Sequence, residues 1–203
     1  MMAELAARFV QKQSNIYDLG CATGTTLSLM LKNITDQTVR FYGVDNSRQM
    51  IRKAKQKMAR LRDKRLAFIL QDLHTPLQLD NASVVVMALT LQFVKPLHRR
   101  TLIQLIHASL RPGGCLILFE KVLGSNLMMN RLMTDFYYDF KRHHRYSELE
   151  IAQKELALEG ILNSYRVDQN IGLLHNCGFS TAEIFFKWYN FAGILCNKTQ
   201  AQK

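Results

Sequence analysis

NIYDLGCATGTTLSLMLK, residues 15–32, decides the fold. Asn15 to Leu19 is a short apolar run of strand type. The turn Asp18-Leu19-Gly20-Cys21-Ala22-Thr23-Gly24 follows, and Gly24 to Lys32 then places Leu27, Met30 and Leu31 on one face of a helix. A strand that passes through a glycine turn into a helix is the first half of a β-α-β unit. Working outward, the alternation repeats. Val39 to Val44 reads as a second strand, and Ser47 after Asp45-Asn46 is a good N-cap for a basic helix. Leu66 to Leu70 is a third strand. Ala82 to Leu91, ASVVVMALTL, is almost continuously apolar and β-branched, as a strand covered on both faces requires. Pro96 opens a helix through Leu110, and Arg111-Pro112-Gly113-Gly114 turns the chain into a fifth strand, Cys115 to Glu120.

Beyond Glu120 the pattern changes. Residues 125–160 read as two polar-aromatic helices carrying Met128, Met129, Phe136, Tyr137 and Phe140, and residues 164–177 as another, stopped by Gly178. Thr181 to Trp188 and Asn190 to Cys196 are the closing strands. The expectation is an α/β protein with an open, mostly parallel sheet, right-handed crossovers and helices on both faces. Such a sheet binds ligands at the carboxyl ends of its strands. Without repeats or low-complexity linkers, residues 1–203 read as a single domain.

Composition narrows the class. A content of 48% hydrophobic and 21% charged residues is that of a globular chain. No apolar run reaches the length of a membrane span, and Glu4 in an otherwise short apolar start argues against a signal peptide. Cys21, Cys115, Cys177 and Cys196 are scattered without a CxxC pair, so they read as separate reduced thiols of a cytoplasmic protein, with no metal site. A reactive-thiol role for Cys21, before a helix, is a minor alternative. The net charge of +11 raises the question of an anionic partner such as RNA. Much of it lies in Arg48, Arg52, Lys53, Lys55, Lys57, Arg60, Arg62, Lys64 and Arg65. The simpler reading is a solvated helix face over a buried stripe of Met50, Ile51, Ala54, Met58 and Leu61, and no aromatic residues interleave for base stacking. Direct tRNA binding is therefore not favoured.

The chemistry is carried by three strand ends. Gly20 permits a tight turn with close backbone approach, and Gly24 lets the helix pack near the strand. The loop is not GxGxxG; it opens D-x-G. Asp18 would repel a diphosphate but suits a cofactor bearing a sulfonium and an ammonium, which argues for S-adenosyl-L-methionine over a dinucleotide. Asp45, ending the second strand, can accept protons from both ribose hydroxyls. Asp72, ending the third, can accept the adenine amino group.

These motifs, together with VDNS, TLQF (Thr90 to Phe93), LRPGG with FEK, DFKR followed by YSELEI (Tyr146 to Ile151), and LHNCGF, resemble the carboxy-S-adenosyl-L-methionine synthases from about Leu5 to Asn197. The resemblance implies a class I methyltransferase (Rossmann-like) fold, with a mostly parallel seven-stranded sheet, helices on both faces and a helical insertion after strand five, about residues 125–160. That insertion would cover the substrate and serve dimerisation; the family is usually homodimeric. It further implies conversion of S-adenosyl-L-methionine and prephenate to carboxy-S-adenosyl-L-methionine and phenylpyruvate, for 5-oxyacetyl uridine at the tRNA wobble position. By position, Gly20, Cys21 and Ala22 would line the methionine part, Asp45 and Asn46 the ribose, and Asp72 and Leu73 the adenine.

Three departures accompany the resemblance. Family members carry a segment before the first strand that supplies a ligand-contacting tyrosine and part of a lid, whereas this chain opens almost directly on that strand. A ligand-touching asparagine is Ala88 here. The arginine that pairs with the transferred carboxylate is Glu155, so an attraction becomes a repulsion of about 1 kcal/mol in water at about 4 Å and several times that in a partly buried site. Arg142, Arg145, Lys154 and Arg166 are candidate replacements, although each also reads as ordinary helix surface charge. Adjacent His143 and His144 point different ways on a helix and read as surface residues, while Tyr137, Tyr138 and Phe140 wall a substrate pocket or pack a helix. Two further readings stay open: an ordinary methyltransferase of a small molecule or RNA, and a non-catalytic cofactor- or tRNA-binding relative.

Overall fold

A computed structural model of the chain describes residues 1–199. Its seven strands are β1 (Asn15–Leu19), β2 (Arg40–Asp45), β3 (Leu66–Leu70), β4 (Ala82–Ala88), β5 (Leu110–Lys121), β6 (Thr181–Trp188) and β7 (Phe191–Asn197). They form one sheet in the order β3-β2-β1-β4-β5-β7-β6. The first five pair in parallel, and β7 lies antiparallel between β5 and β6. The helices are α1 (Met2–Phe9), α2 (Thr25–Asn33), α3 (Arg48–Met58), α4 (Pro96–Ser109), α5 (Leu127–His143), α6 (Glu148–Leu156) and α7 (Val167–Asn176). Alternate residues of the central strands feed two cores. Val84, Val86 and Ile117 pack with Ala6, Leu27 and Ile51 on one face; Val85, Met87 and Leu118 pack with Ile103 and Leu174 on the other. β1 pairs with β2 on one side and β4 on the other, so the chain order reverses there and opens a crevice at the carboxyl ends.

Several expectations are corrected. A helix not expected from the sequence, α1, precedes β1 and seats Ala3 and Ala6 in the core; eight residues are too few for the periodicity to stand out. Strand β5 begins at Leu110 rather than Cys115. Leu110 pairs with Ala82, Gly113 N–H donates to Lys198 O at 2.9 Å, and Lys198 N–H returns to Gly114 O at 2.8 Å. The Pro-Gly-Gly signal is local, whereas the partners that extend the strand are remote.

Arg65 is not part of the solvated basic face. It is buried, with its Nη2 on Asp63 Oδ2 at 2.6 Å and its Nη1 on Ile34 O at 2.7 Å. Leu61 lies exposed, while Ile51, Ala54 and Met58 are buried as the stripe requires. Ser47 caps α3, accepting Met50 N–H at 3.3 Å. His143 and His144 are exposed, all four cysteines are free and buried, and no cluster of three potential metal ligands occurs among the described residues. No described helix is long and apolar enough to cross a membrane.

The helical insertion is tied back to the sheet by Arg99, which is 1% exposed. Its Nε donates to Val94 O at 2.8 Å and its Nη2 to Asn163 O at 2.5 Å, with the guanidinium 4.2 Å from the Tyr165 ring centroid. A buried carbonyl that loses its donor costs about 1–3 kcal/mol. Arg99→Met should therefore destabilise the fold by roughly 3 kcal/mol, a drop in melting temperature of about 6–12 °C. A scanning-calorimetry change below about 1 kcal/mol would show that water replaces the guanidinium at no cost.

Candidate active site

Backbone geometry shapes the turn after β1. Gly20 has φ +77°, and a Cβ there would stand 2.3 Å from Thr90 Oγ1, so only glycine lets the β4 loop close over the turn. The N–H groups of Gly20 and Cys21 both donate to Val44 O, at 2.8 and 3.0 Å. Ala22, at φ +45°, directs its N–H to Asp45 Oδ2 at 2.9 Å, and Ser47 N–H reaches Asp45 Oδ1 at 2.8 Å. Each oxygen of Asp45 keeps acceptor capacity, which is what a pair of vicinal hydroxyls needs. After β3, Asp72 Oδ1 accepts from His74 N–H at 2.9 Å and from His74 Nδ1 at 2.7 Å. Lys95 N–H donates to His74 Nε2 at 3.1 Å, which places the imidazole proton on Nδ1. These hydrogen bonds from His74 hold the Asp72 carboxyl below its usual range and leave Oδ2 without a partner among the described residues.

A cavity of about 410 Å³ lies over these strand ends. It brings together Gly20, Ala22, Asp45, Asn46, Asp72, Leu73 and Ala88. His74, Leu89, Thr90, Phe93 and Val94 also line it and were missed in the sequence; only the distinctive TLQF run hinted at Thr90 and Phe93. Two of the candidates do not line it. The Cys21 side chain packs into the core, where burial, with Asp18 and Asp45 nearby, pushes the thiol far above its ordinary range, so it is not a reactive thiolate. Asp18 lies beneath the turn at 1% exposure, and its Oδ2 has no hydrogen-bond partner among the described residues. Burial, then the charge of Asp45, raises its carboxyl to about 7. Among the described residues no lysine or arginine lines the cavity, so its field suits a cation.

The loop closing this cavity is organised by Glu120, which is 3% exposed. Glu120 Oε1 accepts from Thr90 N–H at 3.0 Å and Leu91 N–H at 2.8 Å, and Oε2 from Gln92 N–H at 2.9 Å. Burial raises this carboxyl to about 7, against the three amides and Arg99, which lower it.

Glu155 lines a different cavity, of about 700 Å³, between the end of β5, α5 and α6. Tyr137 and Tyr138 wall this second cavity, while Phe140 turns away to pack edge-on against Trp188 at 4.7 Å. Of the candidate replacement cations, Arg142 is paired with Glu148 and Asp139 at 2.6 and 2.8 Å, and Arg166 with Asp168 at 2.7 Å. Arg145 is exposed and is not among the lining residues; Lys154 is. Lys121 and Lys141, which the sequence did not single out, line it as well.

Residues 16–114 match the model of a methyltransferase domain. Among solved structures, the Bacillus subtilis YcgJ protein superposes with a TM-score of 0.69 at 10% identity, over 98% of this chain and 97% of that one. Human N-acetylserotonin methyltransferase in complex with S-adenosylmethionine does so with a TM-score of 0.64 at 15% identity, over 98% and 52%. Both likenesses concern the fold. The carboxy-S-adenosyl-L-methionine synthase of Methylococcus capsulatus is 44% identical over 199 residues, 98% of this chain and 82% of the relative. The enzymes of that name from Desulfotalea psychrophila and Yersinia pestis are 38% and 36% identical over 98% of this chain, and over 81% and 74% of their own lengths. The protein is thus a class I methyltransferase-fold enzyme that uses S-adenosyl-L-methionine, and it belongs to the carboxy-S-adenosyl-L-methionine synthase family.

Proposed function

We propose that this enzyme converts S-adenosyl-L-methionine and prephenate to carboxy-S-adenosyl-L-methionine, phenylpyruvate and water, in the cytoplasm, for 5-oxyacetyl uridine formation at the tRNA wobble position. The observation that carries the reading is the pair of cavities at one end of the sheet. One is lined by carboxylates and fits a sulfonium cofactor; the other is lined by lysines and tyrosines and fits an organic acid. Within the first, Asp45 would hold the ribose hydroxyls, Asp72 the adenine amino group, and the turn Gly20 to Ala22 the methionine part. When bound, the cofactor supplies an activated methyl carbon. Ala88, beside Leu89 and Thr90, leaves the wall apolar where the family has an asparagine. Glu155 motivates a second reading, ordinary methyl transfer to another acceptor.

Incubation with both substrates, followed by mass spectrometry, should give a cofactor product heavier by one carboxyl group together with phenylpyruvate. Demethylated cofactor with a methylated acceptor would establish the second reading instead. Expression in a bacterial strain lacking its own synthase should restore 5-oxyacetyl uridine in tRNA, and failure there with activity in vitro would remove the tRNA assignment.

We also propose a homodimer through the insertion, where Leu127, Met128, Leu149 and Leu156 are 66–71% exposed. Light scattering of the full chain should give twice the chain mass, and Leu149→Asp with Leu156→Asp should halve it; a monomeric wild type would sink the assignment.

Asp18 makes a prediction with a definite sign. Its folded value, about 7, lies above the ordinary 3.8, so the native state keeps a proton that the unfolded chain has lost. Stability from this group is present at low pH and falls by up to about 1.4 kcal/mol per pH unit as pH rises from about 4 to about 7. A bound cation favours the ionised form, so cofactor affinity should rise with pH through about 7, and Asp18→Asn should flatten both profiles. Parallel profiles for wild type and variant in calorimetry would show that Asp18 does not titrate there.

A further inference from the structure

Lys141 is buried to 8% exposure on α5, yet no carboxylate among the described residues comes within ion-pair distance of its ammonium. A lysine this buried is ordinarily paired. Here the Nζ lies 4.6 Å from the Tyr137 ring centroid and 5.2 Å from that of Tyr138. Lys121, half-buried at the end of β5, lines the same cavity and is likewise unpaired among the described residues. Burial, then the charges of Lys154 and Lys121, hold the Lys141 ammonium below the usual lysine range, and burial does the same for Lys121. Glu155, exposed on α6, is the carboxylate both ammoniums feel, but it forms no ion pair with either. The cavity thus holds two cations without an ion pair among the described residues beside two phenol rings, with the exposed Lys154, Glu155 and Glu159 at its rim.

We infer that Lys121 and Lys141 bind the carboxylate of the acid co-substrate, with Tyr137 and Tyr138 against its carbon skeleton, and that Glu155 is a rim anion with which the incoming acid competes. The inference rests on the proposed function in one respect, that the second substrate is a carboxylic acid. The two lysines take the role for which the family uses an arginine at the position of Glu155, and they do so from another strand and another helix. A purely structural role would need only the apolar stems of the lysines packed on the tyrosines, and methionine would serve equally well.

The test titrates prephenate into full-length protein saturated with S-adenosyl-L-methionine, comparing wild type with K121M, K141M, K141R and E155Q. Methionine keeps the stem and removes the charge. K121M and K141M should weaken prephenate binding about tenfold or more, K141R should stay within about threefold, and E155Q should bind at least as tightly as wild type. Cofactor affinity within about twofold of wild type in every variant confirms an intact fold. Prephenate affinity unchanged in both methionine variants would overturn the inference, as would no prephenate binding to wild type. Turnover measured in parallel separates the two ideas. Carboxylated product with lysine-independent affinity overturns the inference and leaves the function; lysine-dependent binding without carboxylated product overturns the function and leaves the inference.

Discussion

At the end of β5 the Glu120 carboxylate receives the N–H groups of Thr90, Leu91 and Gln92, while the N–H of the next residue, Lys121, donates to Gln92 Oε1 at 2.8 Å. Three successive amides converge on one carboxylate because the chain from Leu91 to Phe93 winds into a single 3₁₀ turn, whose first N–H groups have no partner within the turn. Arg99 closes the other side through Val94 O and Asn163 O. Thr90, Phe93 and Val94 line the cofactor cavity and Lys121 lines the second, so this one tie sets both cavities relative to each other. Taking the carboxylate out of water is unfavourable enough to raise it to about 7 despite three amide donors, and without those donors it would not be tolerated.

Charge is sorted between the two cavities rather than spread over the molecule. A helix N-terminus such as that of α2 ordinarily attracts anions, and in dinucleotide folds it holds a diphosphate. Here Asp45 and Asp72 face the space above the turn and Asp18 lies beneath it, so the local field is reversed in favour of a cation. The second cavity has the opposite character, with Lys121, Lys141 and Lys154 against Glu155 and Glu159. The net charge of +11 says little about either, because much of it lies on α3 and the segment after it, which line neither cavity.

The strand-turn-helix pattern made the sheet and the cofactor cavity legible because their determinants are local. Gly20, Asp45 and Asp72 each follow a strand directly, and strand ends in a parallel sheet converge on the same crevice. Other features were illegible because they depend on contacts remote in sequence. Arg65 reads as one more cation of a basic run until Ile34 and Asp36 are seen to accept from it. His74 becomes a site residue only through Lys95 N–H, twenty-one positions away. Lys141 lies in a polar-aromatic helix, and nothing in its neighbours announces that it is buried while Arg142 is not.

The depth at which a charge sits decides what Glu155 does to an anion entering the second cavity. On a cavity floor a glutamate would set like charges against each other at low dielectric, where the interaction is several times that in water. Glu155 instead occupies an exposed stretch of α6, a helix fixed by the capping box of Ser147 and Glu150. Water screens it there, and an acid that passes the rim meets ammonium groups that are less screened because they are more buried. The deeper charges therefore outweigh the shallower one, and an anion site persists although the rim residue has the wrong sign.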